Sequence, residues 1–339
     1  MTRWKIVVLG LGILFIFSFN PVESAAIPTN NPILSRDTVH LYPIKVHGKF
    51  GYIDKSGKMV IAPQFDWANI FWEGLADVQV GNKWGYIDPS GKMVIAPQYD
   101  RAISINEGLG TVKIGKKWGC IDPSGKMVIK PQYDQSVSFH NGIAGVCINN
   151  KWEYIDKTGK CILTPKVQVN FACYFSEGLA AVRIGNKYGY IDKSGKLVIP
   201  ANFDITHGFS EGLASVKLGN KWGFIDKTGK LIIDAKFDNV IRFENGSCPV
   251  KLKNKWGYIN PTGKLIIPPQ YDWAFLFSEG FAGVNLNKKW GYINLSGKMV
   301  IPPQYDFALP FYDGYTMVGL GKKEGYIDTT GNYIWQPTE

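Results

Sequence analysis

The hydrophobic and polar positions of this chain repeat with a period of 34 residues. One copy, residues 212–233, contains three apolar runs. In the run 213–218 apolar and polar side chains alternate, which is typical of a strand with one buried face. The runs 221–225 and 230–233 carry apolar side chains on both faces, which predicts strands that are covered on both sides.

Short polar segments separate these three predicted strands. Gly219 and Asn220 form the first loop, and Asp226 opens the second, an Asp-x-x-Gly turn. An Asp side chain at this position can bond the backbone two residues on, and the glycine supplies a positive φ. Because both loops are short, we expect an antiparallel three-stranded meander.

The residue before the repeated glycine, which we call the slot, is usually a tryptophan. The slot is filled in turn by Phe50, Trp84, Trp118, Trp152, Tyr188, Trp222, Trp256, Trp290 and Glu324. The spacing is 34 residues at every step except Trp152 to Tyr188, where it is 36. Such self-similarity indicates a repeat architecture, so we predict a single domain of nine units over residues 40–336. The slot tryptophans are predicted to pack between units.

The arrangement of the units can be open or closed. Phe50 and Glu324 are unusual slot residues, and they belong to the first and last units. Atypical terminal repeats are expected of an open stack, and nine blades exceed the usual propeller range of about four to eight. We therefore expect an all-β fold of nine meanders in an open curved solenoid, with a β-propeller-like closed ring as the alternative.

The repeated motif resembles a known family. Lys-Trp-Gly-Tyr-Ile-Asp-x-x-Gly-Lys-x-Val-Ile-x-Pro-Gln-Tyr-Asp, followed by Phe-Ser-Glu-Gly-Leu-Ala-x-Val, is similar to the WG (KWG) repeat of bacterial proteins, and the likeness covers residues 41–336. The resemblance implies a β-rich, often exported bacterial protein that serves as an interaction scaffold. It brings no catalytic residues to this chain.

The N-terminus predicts export. Arg3 and Lys5 precede an apolar run of 14 residues, 6–19, and the small residues Ser24 and Ala26 follow. This pattern is typical of a signal peptide, which we place at residues 1–24, with a linker over 25–39. The run is short for a membrane-spanning helix, although an uncleaved anchor is the alternative. We expect a mature chain that has no transmembrane segment and is secreted or held in the cell envelope.

Charge narrows the class of partner. The formal charge of +10 falls to +9 once residues 1–24, with two basic and one acidic side chain, are removed. In an exported protein this charge favours anionic envelope polymers, acidic proteins or lipid surfaces over nucleic acid. The lysines are spread evenly through the repeats, which also suits an ordinary solvated surface.

The cysteines do not predict a disulfide framework or a metal site. The chain has five of them, Cys120, Cys147, Cys161, Cys173 and Cys248, with no CxxC or Cys/His spacing. Cys120 and Cys161 stand where other copies carry apolar side chains, so we interpret them as core residues. One local disulfide among the four cysteines from 120 to 173 is a further option.

The acidic residues recur too regularly for an active site. One set opens the turns: Asp54, Asp88, Asp122, Asp156, Asp192, Asp226 and Asp328, with Asn260 and Asn294 in two copies. Two further sets lie in the linkers: Glu73, Glu107, Glu177, Glu211 and Glu279, and Asp66, Asp100, Asp134, Asp204, Asp238, Asp272 and Asp306. A catalytic pair is normally singular, and no nucleophile, zinc or phosphate-loop motif is present. We predict a protein that is not an enzyme and needs no cofactor.

Three tryptophans break the repeat and are the candidate binding residues. Trp67, Trp72 and Trp273 lie in linkers where other copies often carry different side chains. An exposed tryptophan near a lysine suits a sugar ring or a peptide, whereas core filling is the alternative role.

These observations favour an exported, non-enzymatic scaffold that binds a protein or peptide at the cell envelope. The alternative is a binder of carbohydrate or of an anionic cell-wall polymer, supported by the charge of +9 and the irregular tryptophans. A hydrolase is a third, weaker hypothesis.

Overall fold

The computed structural model describes residues 40–338, which form nine antiparallel sheets and no helix. The predicted signal peptide and the linker at residues 25–39 lie outside the described residues. A membrane-spanning helix is therefore absent from the part of the chain that the structure describes. The described chain divides into two compact units, residues 40–137 and residues 138–338.

The first unit contains eleven strands. They are β1 (Tyr42–Val46), β2 (Lys49–Ile53), β3 (Met59–Phe65), β4 (Trp67–Ala68), β5 (Ala76–Val80), β6 (Lys83–Ile87), β7 (Met93–Tyr99), β8 (Arg101–Asn106), β9 (Leu109–Ile114), β10 (Lys117–Ile121) and β11 (Met127–Tyr133).

The second unit continues the same pattern. Its strands are β12 (Ala144–Ile148), β13 (Lys151–Ile155), β14 (Cys161–Leu163), β15 (Phe171–Ser176), β16 (Leu179–Ile184), β17 (Lys187–Asp192), β18 (Leu197–Phe203), β19 (Ile205–Thr206), β20 (Ala214–Leu218), β21 (Lys221–Ile225), β22 (Leu231–Phe237), β23 (Asn239–Val240), β24 (Cys248–Leu252), β25 (Lys255–Ile259), β26 (Leu265–Tyr271), β27 (Trp273–Ala274), β28 (Phe281–Leu286), β29 (Lys289–Asn294), β30 (Met299–Tyr305), β31 (Phe307–Ala308), β32 (Tyr315–Leu320), β33 (Lys323–Asp328) and β34 (Tyr333–Thr338).

We call each sheet a blade and name its strands a to d in chain order. The blades are 1 (β1–β3), 2 (β4–β7), 3 (β8–β11), 4 (β12–β14), 5 (β15–β18), 6 (β19–β22), 7 (β23–β26), 8 (β27–β30) and 9 (β31–β34). Blades 1 and 4 have three strands, b to d, and the other blades described here have four.

The predicted meander is confirmed as strands b, c and d, and the structure adds strand a. In blade 2, Trp67 pairs with Gln79 and Ala68 pairs with Val78, so the start of the linker joins the sheet that follows it. The start of the linker is therefore a strand of the following blade, and its side chains, such as Trp67 on Phe50, still pack against the blade before it. In blade 2 strand a has only two residues, and its pairing with strand b defines it.

The added strand corrects the predicted architecture. One residue, Asp66, separates strand d of blade 1 from strand a of blade 2. Four-stranded antiparallel meanders linked in sequence are blades of a β-propeller. The chain thus has the β-propeller architecture that was the alternative expectation, and the open curved solenoid is wrong. Phe50, the unusual slot residue of the first unit, is buried: it is 3% exposed and packs on Trp67 with ring centroids 5.6 Å apart.

Buried side chains join successive blades within each unit. Phe50 and Ile61 of blade 1 share one apolar cluster with Val78 of blade 2. A buried tyrosine of strand c also donates its hydroxyl to a backbone carbonyl of the next blade. These bonds are 2.7 to 2.8 Å long in the pairs Tyr52–Asn69, Tyr86–Ile103, Tyr154–Cys173, Tyr190–His207, Tyr258–Phe275 and Tyr292–Leu309.

The glycine after the slot is required by a close approach of strands c and d. A Cβ atom on Gly85 would lie 2.3 Å from the carbonyl oxygen of Ile95, well inside van der Waals contact. The pairing of β6 with β7 shifts register at this point, which is where the bulge lies. Blade 4 carries Glu153 instead, and its strand d has only three residues. The approach that demands glycine is therefore relaxed in that blade.

Substitution of this glycine should destabilise the protein strongly. We expect Gly85→Ala to lower the free energy of unfolding by more than about 2 kcal/mol, because strands c and d must separate to admit the methyl group. Urea unfolding followed by far-UV circular dichroism measures the change. Glu153→Ala is the matched control and should stay within about 0.5 kcal/mol of the parent protein. Equal losses in the two variants would contradict the explanation.

Candidate functional site

The aspartates that open the turns are engaged by their own backbone. Oδ1 of Asp88 accepts hydrogen bonds from Ser90 N at 2.9 Å, Ser90 Oγ at 2.6 Å and Lys92 N at 3.1 Å. These bonds, the Ser90 hydroxyl first, lower the pKa of Asp88. Asn260 accepts the equivalent three bonds with its amide oxygen. A turn role therefore accounts for this set, since a neutral amide performs it equally well.

The linker aspartates join one blade to the next. Asp100 accepts a hydrogen bond from Lys83 Nζ of blade 2 at 2.6 Å and another from Gly115 N of blade 3 at 2.6 Å. Both side chains of this ion pair are more than a third exposed, so it contributes little stability by itself. Its main effect is geometric, because one carboxylate holds strand c of one blade against the b–c turn of the following blade.

The linker glutamates act in the same way on the a–b turns. The carboxylate of Glu73 accepts hydrogen bonds from Glu107 N and Gly108 N, both at 2.8 Å. Glu279 receives the corresponding pair from Asp313 and Gly314. Backbone N–H groups thus occupy these carboxylates, which accounts for their recurrence without a catalytic role.

The structure places the predicted tryptophans between blades or at a turn. Trp67 and Trp273 occupy the same repeat position in blades 2 and 8, and both are half-buried. Trp67 packs on Phe50 and donates Nε1–H to Asn69 Oδ1 at 3.1 Å, while Trp273 packs on Trp256 at 5.0 Å. These contacts favour the core-filling alternative for this pair.

Trp72 has a different position, at the end of the a–b hairpin of blade 2. Its backbone N–H donates to Leu75 O at 2.9 Å, and the side chain is half-buried. A ligand-binding role for Trp72, Trp67 and Trp273 stays a prediction.

The slot tryptophans range from half-buried to fully buried. Trp152, Trp222 and Trp256 are buried, whereas Trp84, Trp118 and Trp290 are half-buried. Four of them pack on an aromatic ring of an a–b segment: Trp152 on Phe171, Trp222 on His207, Trp256 on Trp273 and Trp290 on Phe275. The ring of Trp118 instead faces the ammonium group of Lys113 at 5.7 Å.

A second surface was missed in the sequence. Strand d was expected to be covered on both faces, but one face is open. In each of the first eight blades a valine or isoleucine of this strand is between 36% and 47% exposed. We call them the blade-edge residues: Val60, Val94, Val128, Ile162, Val198, Ile232, Ile266 and Val300.

The neighbours of the blade-edge residues share that open face. In blade 2, Lys92, Ala96 and Gln98 alternate with buried or half-buried side chains and are exposed alongside Val94. Strand d is also the last strand of its sheet, so the described chain pairs it on one side only. Pro97 of the same strand has no N–H to donate, and lysine and proline are common protections of an edge strand. Each edge therefore combines an aliphatic side chain, a positive charge and unpaired backbone groups.

One buried carboxyl stands apart from the repeated acids. Asp77 of β5 is 0% exposed and accepts hydrogen bonds from Asn69 Nδ2 at 2.5 Å and Ser104 Oγ at 2.9 Å. Ser104 belongs to blade 3, so the carboxyl links two blades. Burial raises the pKa of Asp77 to about 6, in spite of the two hydrogen bonds that lower it. The sequence offers a signal here, because other copies have small or apolar residues at this position.

Asp77 should give the protein a measurable pH dependence. Its folded-state pKa of about 6 exceeds the ordinary 3.8, so its stabilising contribution is complete below about pH 4 and is lost as the pH rises through 6. Asp77→Asn stays neutral. Relative to this variant, we expect the parent protein to lose about 3 kcal/mol between about pH 4 and pH 8 in urea unfolding.

The comparison with the variant is needed because the turn aspartates, whose pKa values are lowered, act in the opposite direction. The exposed Asp234→Asn is the matched control and should follow the parent protein at every pH. A parallel course of the parent and Asp77→Asn would show that the carboxyl is ionised throughout.

The fold resembles several solved structures at low sequence identity. One is the crystal structure of the eukaryotic initiation factor, with 10% identity and a TM-score of 0.64 over 89% of this chain and 98% of that chain. BamB from Moraxella catarrhalis has 10% identity and a TM-score of 0.48 over 82% and 90% of the two chains. At such identities the likeness concerns the fold alone. No curated protein matches the sequence.

The repeat family is identified directly from the sequence. The model of the WG containing repeat matches eight consecutive segments, at residues 50–84, 84–118, 118–152, 154–188, 188–222, 222–256, 256–290 and 290–323. These segments begin or end mainly at the slot positions described above, and together they cover most of the chain. The protein therefore belongs to the WG containing repeat family.

Proposed function

We propose that this protein is an exported, non-enzymatic scaffold that binds a protein or peptide partner at the cell envelope. The observation that carries the proposal is the set of blade-edge residues, one exposed aliphatic side chain at the same place in eight consecutive blades. Burial of the exposed part of one such side chain contributes about 1 kcal/mol at 25 cal/mol per Å². A partner that engages several blades multiplies this small gain.

The edge strands suit an extended peptide. A peptide strand can pair with the backbone groups of strand d and place every second side chain against the exposed valine or isoleucine. The lysine two residues before it, such as Lys92 in blade 2, favours a partner with acidic residues and speeds its approach. Where strand d carries a proline, such as Pro97 in blade 2, pairing is limited to a short segment, which suits a binding site better than open-ended aggregation.

The alternative partner is an anionic polymer of the envelope. An exposed lysine precedes strand d in each of the first eight blades: Lys58, Lys92, Lys126, Lys160, Lys196, Lys230, Lys264 and Lys298. Regularly spaced positive charges suit a polymer that repeats its negative charge, and such binding weakens with salt.

Export is supported by the sequence of residues 1–24. Fusion of residues 1–39 to an alkaline phosphatase that is active only after export should give activity in a bacterial host. Replacing Leu11 and Leu14 by lysine in the apolar run should abolish it, because charges in that run prevent insertion. Equal activity from both fusions would contradict export through this segment.

Peptide binding can be separated from polymer binding with two triple variants. A random-peptide phage library selected on the purified protein should yield peptides with alternating apolar residues and acidic flanks. The first variant carries Val60→Lys, Val94→Lys and Val128→Lys, and should bind these peptides at least about tenfold more weakly, since it loses apolar contact on three blades. Fluorescence polarisation measures the affinity.

The second variant is the matched control. It carries Gln64→Lys, Gln98→Lys and Gln132→Lys, which add the same charge to the same strands and keep the valines. We expect near-parental peptide affinity from it. Teichoic acid is the polymer probe: tighter binding to both variants, lost at high salt, with no selected peptide, would favour the anionic-polymer alternative and overturn the peptide proposal.

A further inference from the structure

One repeat position in the second unit lacks a side chain between two polar neighbours. In blades 5 to 9 it lies three residues after the start of strand a and is occupied in turn by Tyr174, Gly208, Arg242, Leu276 and Pro310. Ser138 is the equivalent residue before blade 4, which has no strand a. All six residues are exposed or half-buried, so the position reaches the surface. Gly208 of blade 6 thus leaves an interruption between Tyr174 of blade 5 and Arg242 of blade 7.

A side chain at position 208 would have few neighbours. A Cβ atom placed on Gly208 would meet Ser176 Cβ at 3.4 Å and Ser176 Oγ at 3.9 Å, which is ordinary contact. Apart from the adjoining residues of the chain, no other atom of the described residues comes within 4 Å of that point. The side chains of Tyr174 and Arg242 therefore do not occupy the space next to the Cα atom of Gly208. A ligand group can therefore enter between them.

Arg242 provides a positive charge on one side of the gap. Its Nη2 atom lies 2.8 Å from Glu244 Oε2, and its side chain remains 25% exposed. A guanidinium carries five N–H donors in a planar fork, so this contact leaves donors for a second oxyanion. Burial raises the pKa of Tyr174 and lowers that of His207, and the charge of Arg242 acts on both, against the shift of Tyr174 and with that of His207, which fits a position beside the gap.

Tyr174 provides an aromatic wall on the other side. Its ring stacks on His140 with centroids 4.0 Å apart and an interplanar angle of 29°, which fixes the ring. Burial raises the pKa of Tyr174, so its hydroxyl remains protonated and can donate a hydrogen bond. His207, on the same segment as Gly208, is neutral at physiological pH because burial lowers its pKa to about 4.

Charge balance defines the class of ligand. Glu244 already offsets the charge of Arg242, and His207 adds none, so a ligand with a single negative charge meets less repulsion at the free donors of Arg242 than a dianion such as phosphate does. A carboxylate has that charge and matches the planar donor fork of a guanidinium. We propose that the gap at Gly208 binds a carboxylate of a peptide, with Arg242 as the ion-pair donor and Tyr174 as the wall of the site. This site is separate from the blade-edge residues.

Three fluorescent pentapeptide pools of randomised, acid-free background test the proposal by polarisation. The first has a fixed central glutamate and an amidated C-terminus, the second a free C-terminal carboxylate, and the third a central glutamine with an amidated C-terminus. At least one of the carboxylate pools should bind at least about tenfold more tightly than the glutamine pool, and their order distinguishes a side-chain from a C-terminal ligand.

Gly208→Leu fills the gap with the side chain that blade 8 carries at this position, and the ordinary contact with Ser176 predicts that the variant folds. It should abolish the preference for carboxylate pools. Arg242→Lys keeps the charge, loses the fork and should reduce the preference severalfold. Pro310→Leu, at the same position of blade 9, is the matched control and should retain it. Thermal unfolding verifies that each variant is folded.

Two outcomes would overturn the proposal. One is a carboxylate preference that is absent from the parent protein or unchanged in folded Gly208→Leu. The other is binding of an oligoglucuronate probe, lost in Gly208→Leu, without binding of any peptide pool, which would assign the gap to an acidic sugar. Neither result affects the blade-edge proposal, because its triple variants leave Gly208 and Arg242 intact.

Discussion

The structure depends on the mutual coverage of neighbouring blades. A sheet of three or four short strands cannot bury enough apolar surface alone, so each blade is completed by contacts across its faces. The tyrosine hydroxyl that bonds a carbonyl of the next blade is one of these recurring contacts, as in Tyr86 and Ile103. The recurrent linker carboxylates also connect neighbouring blades, at the surface of the protein. Many residues of each 34-residue copy thus form contacts with the neighbouring blades.

The sequence predicted the parts of a blade whose signals are local. Alternation, the Asp-x-x-Gly turn and the repeated glycine gave strands b, c and d. Strand a was missed because two residues such as Trp67 and Ala68 carry no periodicity, and only their pairing with strand b makes them a strand. The open face of strand d was missed for a related reason. A run such as Met93, Val94 and Ile95 is apolar at every position, so the sequence does not indicate which face stays uncovered.

Aligning the copies would have revealed more of the candidate sites than the motifs did. Asp77 departs from the small or apolar residues of its equivalent positions, whereas Gly208 and Arg242 occupy a position whose residue differs in almost every copy. The irregular tryptophans were an equally visible departure, yet two of them pack against the slot residues Phe50 and Trp256. A residue that differs from its equivalents in the other copies is therefore a candidate for a special role. Its contacts in the structure decide whether that role is packing or binding.

The single-residue joint between blades has a consequence for how such chains lengthen. Asp100 connects the blade before it with the blade after it, and both halves of the joint lie within one period. An in-frame tandem duplication of one period in the gene would therefore create a new joint identical to the old ones. At the irregular copy, Asn170 still accepts the bond from Gly185 N after two additional residues. Such a duplication would thus add a blade without a new kind of joint, and the new copy would begin as a redundant one that is free to diverge.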